Sequence, residues 1–135
     1  MKYVILAALA AIAIQAKADT TTAPAASLVS VVINEEGEHL LADTKGNTLY
    51  VFDMDQNQKV PVCTAKCSEI WPPYLLTDAE VKDLKAPMGV IVRDNKSSQL
   101  TYLGRPVYAY AFDRGANADA GDGVGGVWHY VVLAK

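Results

Sequence analysis

Gly46-Asn47-Thr48-Leu49-Tyr50-Val51-Phe52-Asp53-Met54-Asp55 and Gly104-Arg105-Pro106-Val107-Tyr108-Ala109-Tyr110-Ala111-Phe112-Asp113 are two versions of one segment. Gly46, Tyr50, Phe52 and Asp55 recur 58 residues later as Gly104, Tyr108, Tyr110 and Asp113, and Trp71 recurs 57 residues later as Trp128. Self-similarity at a fixed spacing marks two copies of one supersecondary unit, so these residues are read first as scaffold and only then as site. In a strand, Tyr50 and Phe52 point to one face, as do Tyr108 and Tyr110, giving each copy an aromatic stripe.

Short β-favouring runs surround the segment. Those at 28–33, 38–43 and 48–52 are separated by Asn34-Glu35-Glu36-Gly37 and Lys45-Gly46-Asn47, the pattern of strands joined by tight turns. Runs at 89–93, 99–103 and 106–112 repeat the pattern, split by the polar stretch 94–98 and by Gly104-Arg105, and 127–133 supplies a last strand. Between the copies, Thr77-Asp78-Ala79-Glu80 has the form of a capping box, followed by Val81, Leu84 and Pro87, which predicts one short connecting helix over 78–85. Neither copy holds enough apolar surface for its own core. The expected fold is a mostly β, small single domain in which two antiparallel repeats, about 28–76 and 88–133, share one core.

Lys2, the apolar run at 3–14 and Ala16-Lys17-Ala18 read as a signal peptide over residues 1–18 with a small-x-small cleavage site before Asp19. No later run approaches the roughly 20 apolar residues a membrane span needs, so no transmembrane span is expected after cleavage. Residues 19–27, small, polar and Pro-containing, read as a flexible lead-in to a β-rich domain at 28–135. The chain carries 12 Lys and Arg against 15 Asp and Glu. Loss of Lys2 and Lys17 with the leader makes it more acidic still, which argues against a nucleic-acid partner or an anionic membrane surface.

The Gly46–Asp55 segment, Cys63-Thr64-Ala65-Lys66-Cys67, Trp71-Pro72-Pro73, and the second set ending in Asp113 and Trp128 together resemble a bacterial secreted repeat, or predicted lipoprotein, family with a Tyr-x4-Asp motif. The resemblance covers roughly 38–133. It implies an envelope location and a β-rich repeat but no reaction, and the absence of a cysteine near the cleavage site departs from the lipid-anchored members.

Asp55 and Asp113 fall just past their strands, where each carboxylate can accept backbone N–H groups of the following turn; Asp55 can instead accept the Tyr50 hydroxyl. Alternatively, the Tyr-Asp pairs line a groove for a sugar or another ring-bearing ligand. Cys63 and Cys67, the only cysteines, read as a disulfide in an exported protein, worth toward the low end of roughly 2–4 kcal/mol because the loop is small, and placed to pin the Trp71 corner. The alternative is a copper clip, with His129, His39, Met54 or Met88 as the soft or imidazole partner; the chief alternative set is Cys63, Cys67, His129 and Met54. A Cys-x2-Cys redox motif, a haem-attachment motif and a Gly-x-Ser-x-Gly elbow do not occur.

The loop 113–126 holds three carboxylates and five glycines but fits neither an EF-hand nor a Gly-Gly-x-Gly-x-Asp repeat. It differs most between the copies, and with Arg114, Asp119 and Asp122 it is the candidate binding loop. His129 follows Trp128 and faces solvent if Trp128 faces the core. The reading is an exported protein of the periplasm or cell envelope, with the extracellular space as the alternative destination, acting as a non-enzymatic binding or interaction module without a cofactor. Its partner would be a small molecule, glycan or envelope protein, met by the Tyr50 and Tyr108 stripes and the 113–126 loop. The alternative is a redox or copper-handling protein built on Cys63 and Cys67.

Overall fold

The computed structural model describes residues 27–134; the leader at 1–18 and the lead-in up to residue 26 lie outside the described residues. The chain runs β1 (Val29–Ile33), β2 (His39–Asp43), β3 (Tyr50–Phe52), α1 (Lys66–Ile70), β4 (Leu75–Leu76), α2 (Asp78–Lys82), β5 (Met88–Val92), β6 (Ser98–Tyr102), β7 (Arg105–Pro106), β8 (Trp128–Tyr130) and β9 (Val132–Ala134), with 3-10 turns at Asp53–Asp55 and Val124–Gly126. All strand pairs are antiparallel.

The two copies complete each other. β1 and β2 of the first copy are joined by β9 of the second, β5 and β6 of the second by β4 of the first, and β3 pairs with β8 across the copies. Backbone hydrogen bonds match across the repeat. Leu41 N–H donates to Val131 and Leu49 N–H to Leu41; their counterparts are Leu100 to Tyr74 and Val107 to Leu100. At the centre, Tyr50 and Tyr108 exchange both bonds, at 2.8 and 2.9 Å, so a local two-fold axis passes between them. The geometry is that of an isologous dimer contained in one chain.

This exchange explains the shared core. Leu49 and Val51 pack with Leu41, Leu76, Leu100 and Val107, an aliphatic cluster drawn from both copies. Tyr50, one residue out of phase, packs on the opposite side with Cys63, Trp71, Tyr108 and Trp128. The motif glycines sit where the chain turns into this strand with positive φ, +85° at Gly46 and +78° at Gly104, a conformation a Cβ disfavours.

Several elements differ from the sequence-based expectation. The connecting helix has its capping box, with Glu80 N–H on Thr77 Oγ1 at 3.3 Å and Thr77 N–H on Glu80 Oε2 at 2.7 Å, but it ends at Lys82, short of residue 85. A second short helix, α1, lies inside the Cys-x3-Cys segment. The expected strand over 106–112 is reduced to β7 and isolated bridges at Tyr108, whereas its counterpart β3 pairs with β8 at three successive residues. The partners give the reason. β3 meets Trp128-His129-Tyr130, whereas Tyr108 and its neighbours meet Trp71-Pro72-Pro73, and proline has no N–H to return. Ala109 N–H to Pro72, Ala111 N–H to Ile70 and Tyr74 N–H to Val107 are the bonds on that side.

Candidate functional site

The Tyr-Asp pairs are the first candidates, and they prove to be crossed. Tyr50 Oη donates to Asp113 Oδ2 at 2.7 Å, and Tyr108 Oη donates to Asp55 Oδ2 at 2.7 Å, so each tyrosine is held by the carboxylate of the other copy. The alternative bond from Tyr50 to Asp55 is not formed. Because the copies exchange strands, each tyrosine ring passes the two-fold axis before its hydroxyl meets a carboxylate. The second carboxylate oxygen does what was expected of it: Asp55 Oδ1 accepts Val62 N–H at 2.8 Å and Asp113 Oδ1 accepts Ala120 N–H at 3.0 Å. Each aspartate thus fastens a tyrosine of one copy to a loop of its own.

Both tyrosines are fully buried. They are therefore not a contact surface, and the sugar-groove reading of the stripes does not survive. Burial, reinforced by the hydrogen bond to a carboxylate, pushes both phenols well above their ordinary range, so neither ionises near neutral pH. Desolvation likewise raises the Asp113 carboxyl, partly offset by the Tyr50 hydrogen bond.

The remaining motif aromatics form a column. Phe52, Trp128, Trp71 and Tyr110 stack in that order with centroid separations of 4.2, 3.8 and 4.2 Å, and the two indoles are parallel to within 3°. Tyr50 meets Trp71 edge-on and Tyr108 meets Trp128 edge-on. The column is palindromic about the two-fold axis. Stacked and edge-on aromatic pairs add about 0.5–1.5 kcal/mol each beyond their buried area, which makes this cluster the main joint between the copies.

Cys63 and Cys67 are disulfide-bonded, with Cα atoms 5.2 Å apart. Cys63 is fully buried in the aromatic cluster, beside the two-fold axis, where the second copy places Gly121. That glycine leaves no room for a side chain: an added Cβ would lie 2.8 Å from the Tyr50 ring and 3.0 Å from Trp71. A buried network supports the cystine. Arg93 donates to the Cys63 carbonyl and to Gln99 Oε1, each at 2.6 Å, and Gln99 Nε2 donates to the Val107 carbonyl. In the first copy the matching positions are Asn34 and Leu40, so this network exists once. With both sulfurs paired, the alternative copper set has no free thiolate; Met54 is exposed, and among the described residues no cluster of three or more His, Cys, Asp or Glu is placed to hold a metal.

The 113–126 loop is tied down at several points. Thr48 Oγ1 donates to the Ala118 carbonyl at 2.6 Å, Asn117 N–H reaches Gly46, and Asp122 Oδ1 accepts Tyr130 N–H. Of the candidate binding residues, Asp122 is thus a structural acceptor, Arg114 is exposed, and Asp119 borders a concavity with Asn34, Glu35, Glu36 and Asn117.

A different cluster stands out once scaffold positions are set aside. His129 Nε2 lies 2.8 Å from Asp53 Oδ2, and Arg105 Nη2 lies 3.4 Å from Asp53 Oδ1. Because an ionised carboxylate only accepts, the proton sits on His129 Nε2. Strand pairing builds the cluster: His129 is opposite Val51, Asp53 follows β3 directly, and Arg105 comes from β7. The hydrogen bond from His129, helped by Arg105, holds the Asp53 carboxyl below the ordinary carboxylate range. Beside it, Val51, Tyr102, Leu103, Arg105, Tyr130 and Val132 help line a concavity of about 280 Å³. At the positions of Asp53, Arg105, His129 and Tyr130 the other copy has Ala111, Asn47, Pro72 and Pro73. Sequence reading singled out His129 but missed Asp53 and Arg105, although the mismatch between copies was visible.

A family described as a secreted repeat of unknown function matches the chain twice, over residues 30–74 and 89–132. The chain belongs to this family. The two matches coincide with the two strand-exchanging copies, so the interlocked pair, rather than the single repeat, is the folded unit of this member. No curated protein and no solved structure matches the chain. Among the described residues no helix is long and apolar enough to cross a membrane.

Proposed function

We propose that the protein is a non-enzymatic binding module of the periplasm or cell envelope, and that its ligand site is the concavity beside Asp53, His129 and Arg105. The observation that carries this reading is the break in internal symmetry. The motif glycines, the crossed Tyr-Asp pairs and the aromatic column recur in both copies, whereas this cluster occurs in one, and unlike the equally unique but buried Arg93–Gln99 network its charged groups are half-exposed.

The chemistry of the lining defines the ligand. Val51, Val131, Val132 and Leu103 offer apolar surface, Tyr102 and Tyr130 add aromatic rings, and Arg105 brings a nitrogen donor to the rim beside His129, whose Nε2 proton is committed to Asp53. Only one of the five guanidinium N–H groups is directed at Asp53, which leaves Arg105 able to take a second anion in its fork. A small molecule or chain terminus that joins a carboxylate to an apolar group fits both features, and the modest volume favours a small one. An enzymatic reading finds little support here: the site offers a hydrogen-bonded His-Asp pair, but no serine, threonine or cysteine is among the residues lining the concavity beside it. The copper-handling alternative would require the Cys63–Cys67 bond to open first.

NMR titration of the chain beginning at Asp19 with hexanoate and with N-acetyl-leucine tests the proposal. Saturable shifts centred on His129, Arg105 and Val131, lost in Arg105→Gln, are expected. Shifts elsewhere, or shifts unaffected by Arg105→Gln, would refute the assignment.

A further inference from the structure

We infer that β1 is a self-association edge, through which a second copy of this chain adds an antiparallel β1 to form a two-fold dimer with a continuous six-stranded sheet. The inference is independent of the ligand site.

β1 is the outer strand of the β1-β2-β9 sheet. Its hydrogen-bonding phase follows from its partner. Leu41 directs its N–H to Val131 and its carbonyl to Leu49, away from β1, so the Val31–Leu41 pair is a non-hydrogen-bonded one. The bonds between β1 and β2 are then made by Ser30 and Val32, and the backbone groups of Val31 and Ile33 point outward from the sheet edge. Among the described residues no strand lies beyond them. The side chains of the same two residues are exposed, 54% for Val31 and 53% for Ile33.

Natural sheets protect such an edge with charge, proline, a bulge or a covering element. Among the described residues, Val29-Ser30-Val31-Val32-Ile33 has none of these. It is uncharged and almost wholly β-branched, the composition that favours strand addition.

A second copy is the occupant that the sequence of the edge fits. With Val31 opposite Val31 of the second copy, Val29 meets Ile33 and Ser30 meets Val32, so the outward-facing row is apolar against apolar throughout. Glu35 falls opposite Ser27 rather than another carboxylate, which avoids the like-charge repulsion an acidic chain would otherwise meet. Val31 lies on the same face as Leu41 and Val29, which belong to the aliphatic core, so an added strand would cover apolar side chains that the single chain leaves exposed. The matching edge of the other copy, β5, is a poorer template because Gly89 interrupts it and Pro87 adjoins it.

The test is sedimentation equilibrium on the chain beginning at Asp19 from micromolar to millimolar concentration, with amide hydrogen exchange at both ends of that range. The expected result is a monomer–dimer equilibrium in which the Val31 and Ile33 amides gain protection on association, loss of the dimer in Val31→Lys, and a retained dimer in the matched control Val90→Lys. Both substitutions fall on exposed strand positions. A monomer at every concentration, a dimer whose Val31 and Ile33 amides still exchange freely, or a dimer abolished by Val90→Lys and not by Val31→Lys would overturn the inference.

Discussion

The crossed tyrosine–aspartate pairs make a prediction that separates this fold from one in which each copy closes on itself. Replacing Tyr108 by Phe removes a hydroxyl that donates at 2.7 Å to Asp55, a carboxylate only 8% exposed. A hydrogen bond to a charged group is worth about 1.5–3 kcal/mol net. The loss should therefore be about 2 kcal/mol, or roughly 8 °C in Tm for a domain of this size. Stability alone does not reveal the partner, so the decisive form is a double-mutant cycle followed by urea unfolding. Tyr50→Phe combined with Asp113→Ala should show a coupling energy of about 1.5–3 kcal/mol, and Tyr108→Phe with Asp55→Ala the same. Tyr50→Phe combined with Asp55→Ala should be additive within about 0.5 kcal/mol, because those groups share no bond. A coupling between Tyr50 and Asp55 as large as that between Tyr50 and Asp113 would refute the crossing and with it the exchanged strands.

Four further outcomes follow from the same geometry. Cys63→Ser with Cys67→Ser opens a small loop and should lower stability by about 2 kcal/mol in urea unfolding, the short-loop end of the chain-entropy scale. Gly121→Ala forces a methyl group to within 2.8 Å of the Tyr50 ring and should destabilise by about 1–3 kcal/mol, with the loss visible as altered near-ultraviolet circular dichroism. The depressed Asp53 carboxyl contributes stability that is fully present above the unfolded carboxylate pKa and lost as pH falls through its lower folded value; in His129→Ala, NMR titration should show that carboxyl rising toward the ordinary carboxylate range. Asp113, raised by burial, acts in the opposite sense: stability falls as pH climbs from the ordinary carboxylate value through its raised folded one.

The repeat, the turns and the mostly β character were legible because they rest on local chemistry. Gly46 and Gly104 announce positive φ, Tyr50 and Phe52 alternate at the strand period, and Thr77 with Glu80 announces a cap. The strand exchange was not legible, because two copies of one motif satisfy the same pattern whether Tyr50 finds Asp55 or Asp113. Only three-dimensional connectivity decides between them. The contrast between Pro72-Pro73 and His129-Tyr130 was readable as a weakened ladder on one side, yet its effect on the 106–112 run depended on knowing which strands meet. The same holds for the Asp53, His129 and Arg105 cluster: each residue was plain in the sequence as a mismatch between copies, and their convergence required β3, β7 and β8 to be brought together. Arg93 gave no signal at all, since a cation at the end of an apolar strand reads as solvent-facing until Gln99 and the Cys63 carbonyl are placed beside it.

The central claim is that the two copies are interlocked rather than arranged as neighbours, and cutting the chain between them tests it most directly. A protease site introduced between Lys82 and Ala86, cleaved in the folded protein and followed by native mass spectrometry, should leave the two pieces associated as one species of unchanged near-ultraviolet circular dichroism. Two pieces that separate and each keep a folded spectrum would contradict it.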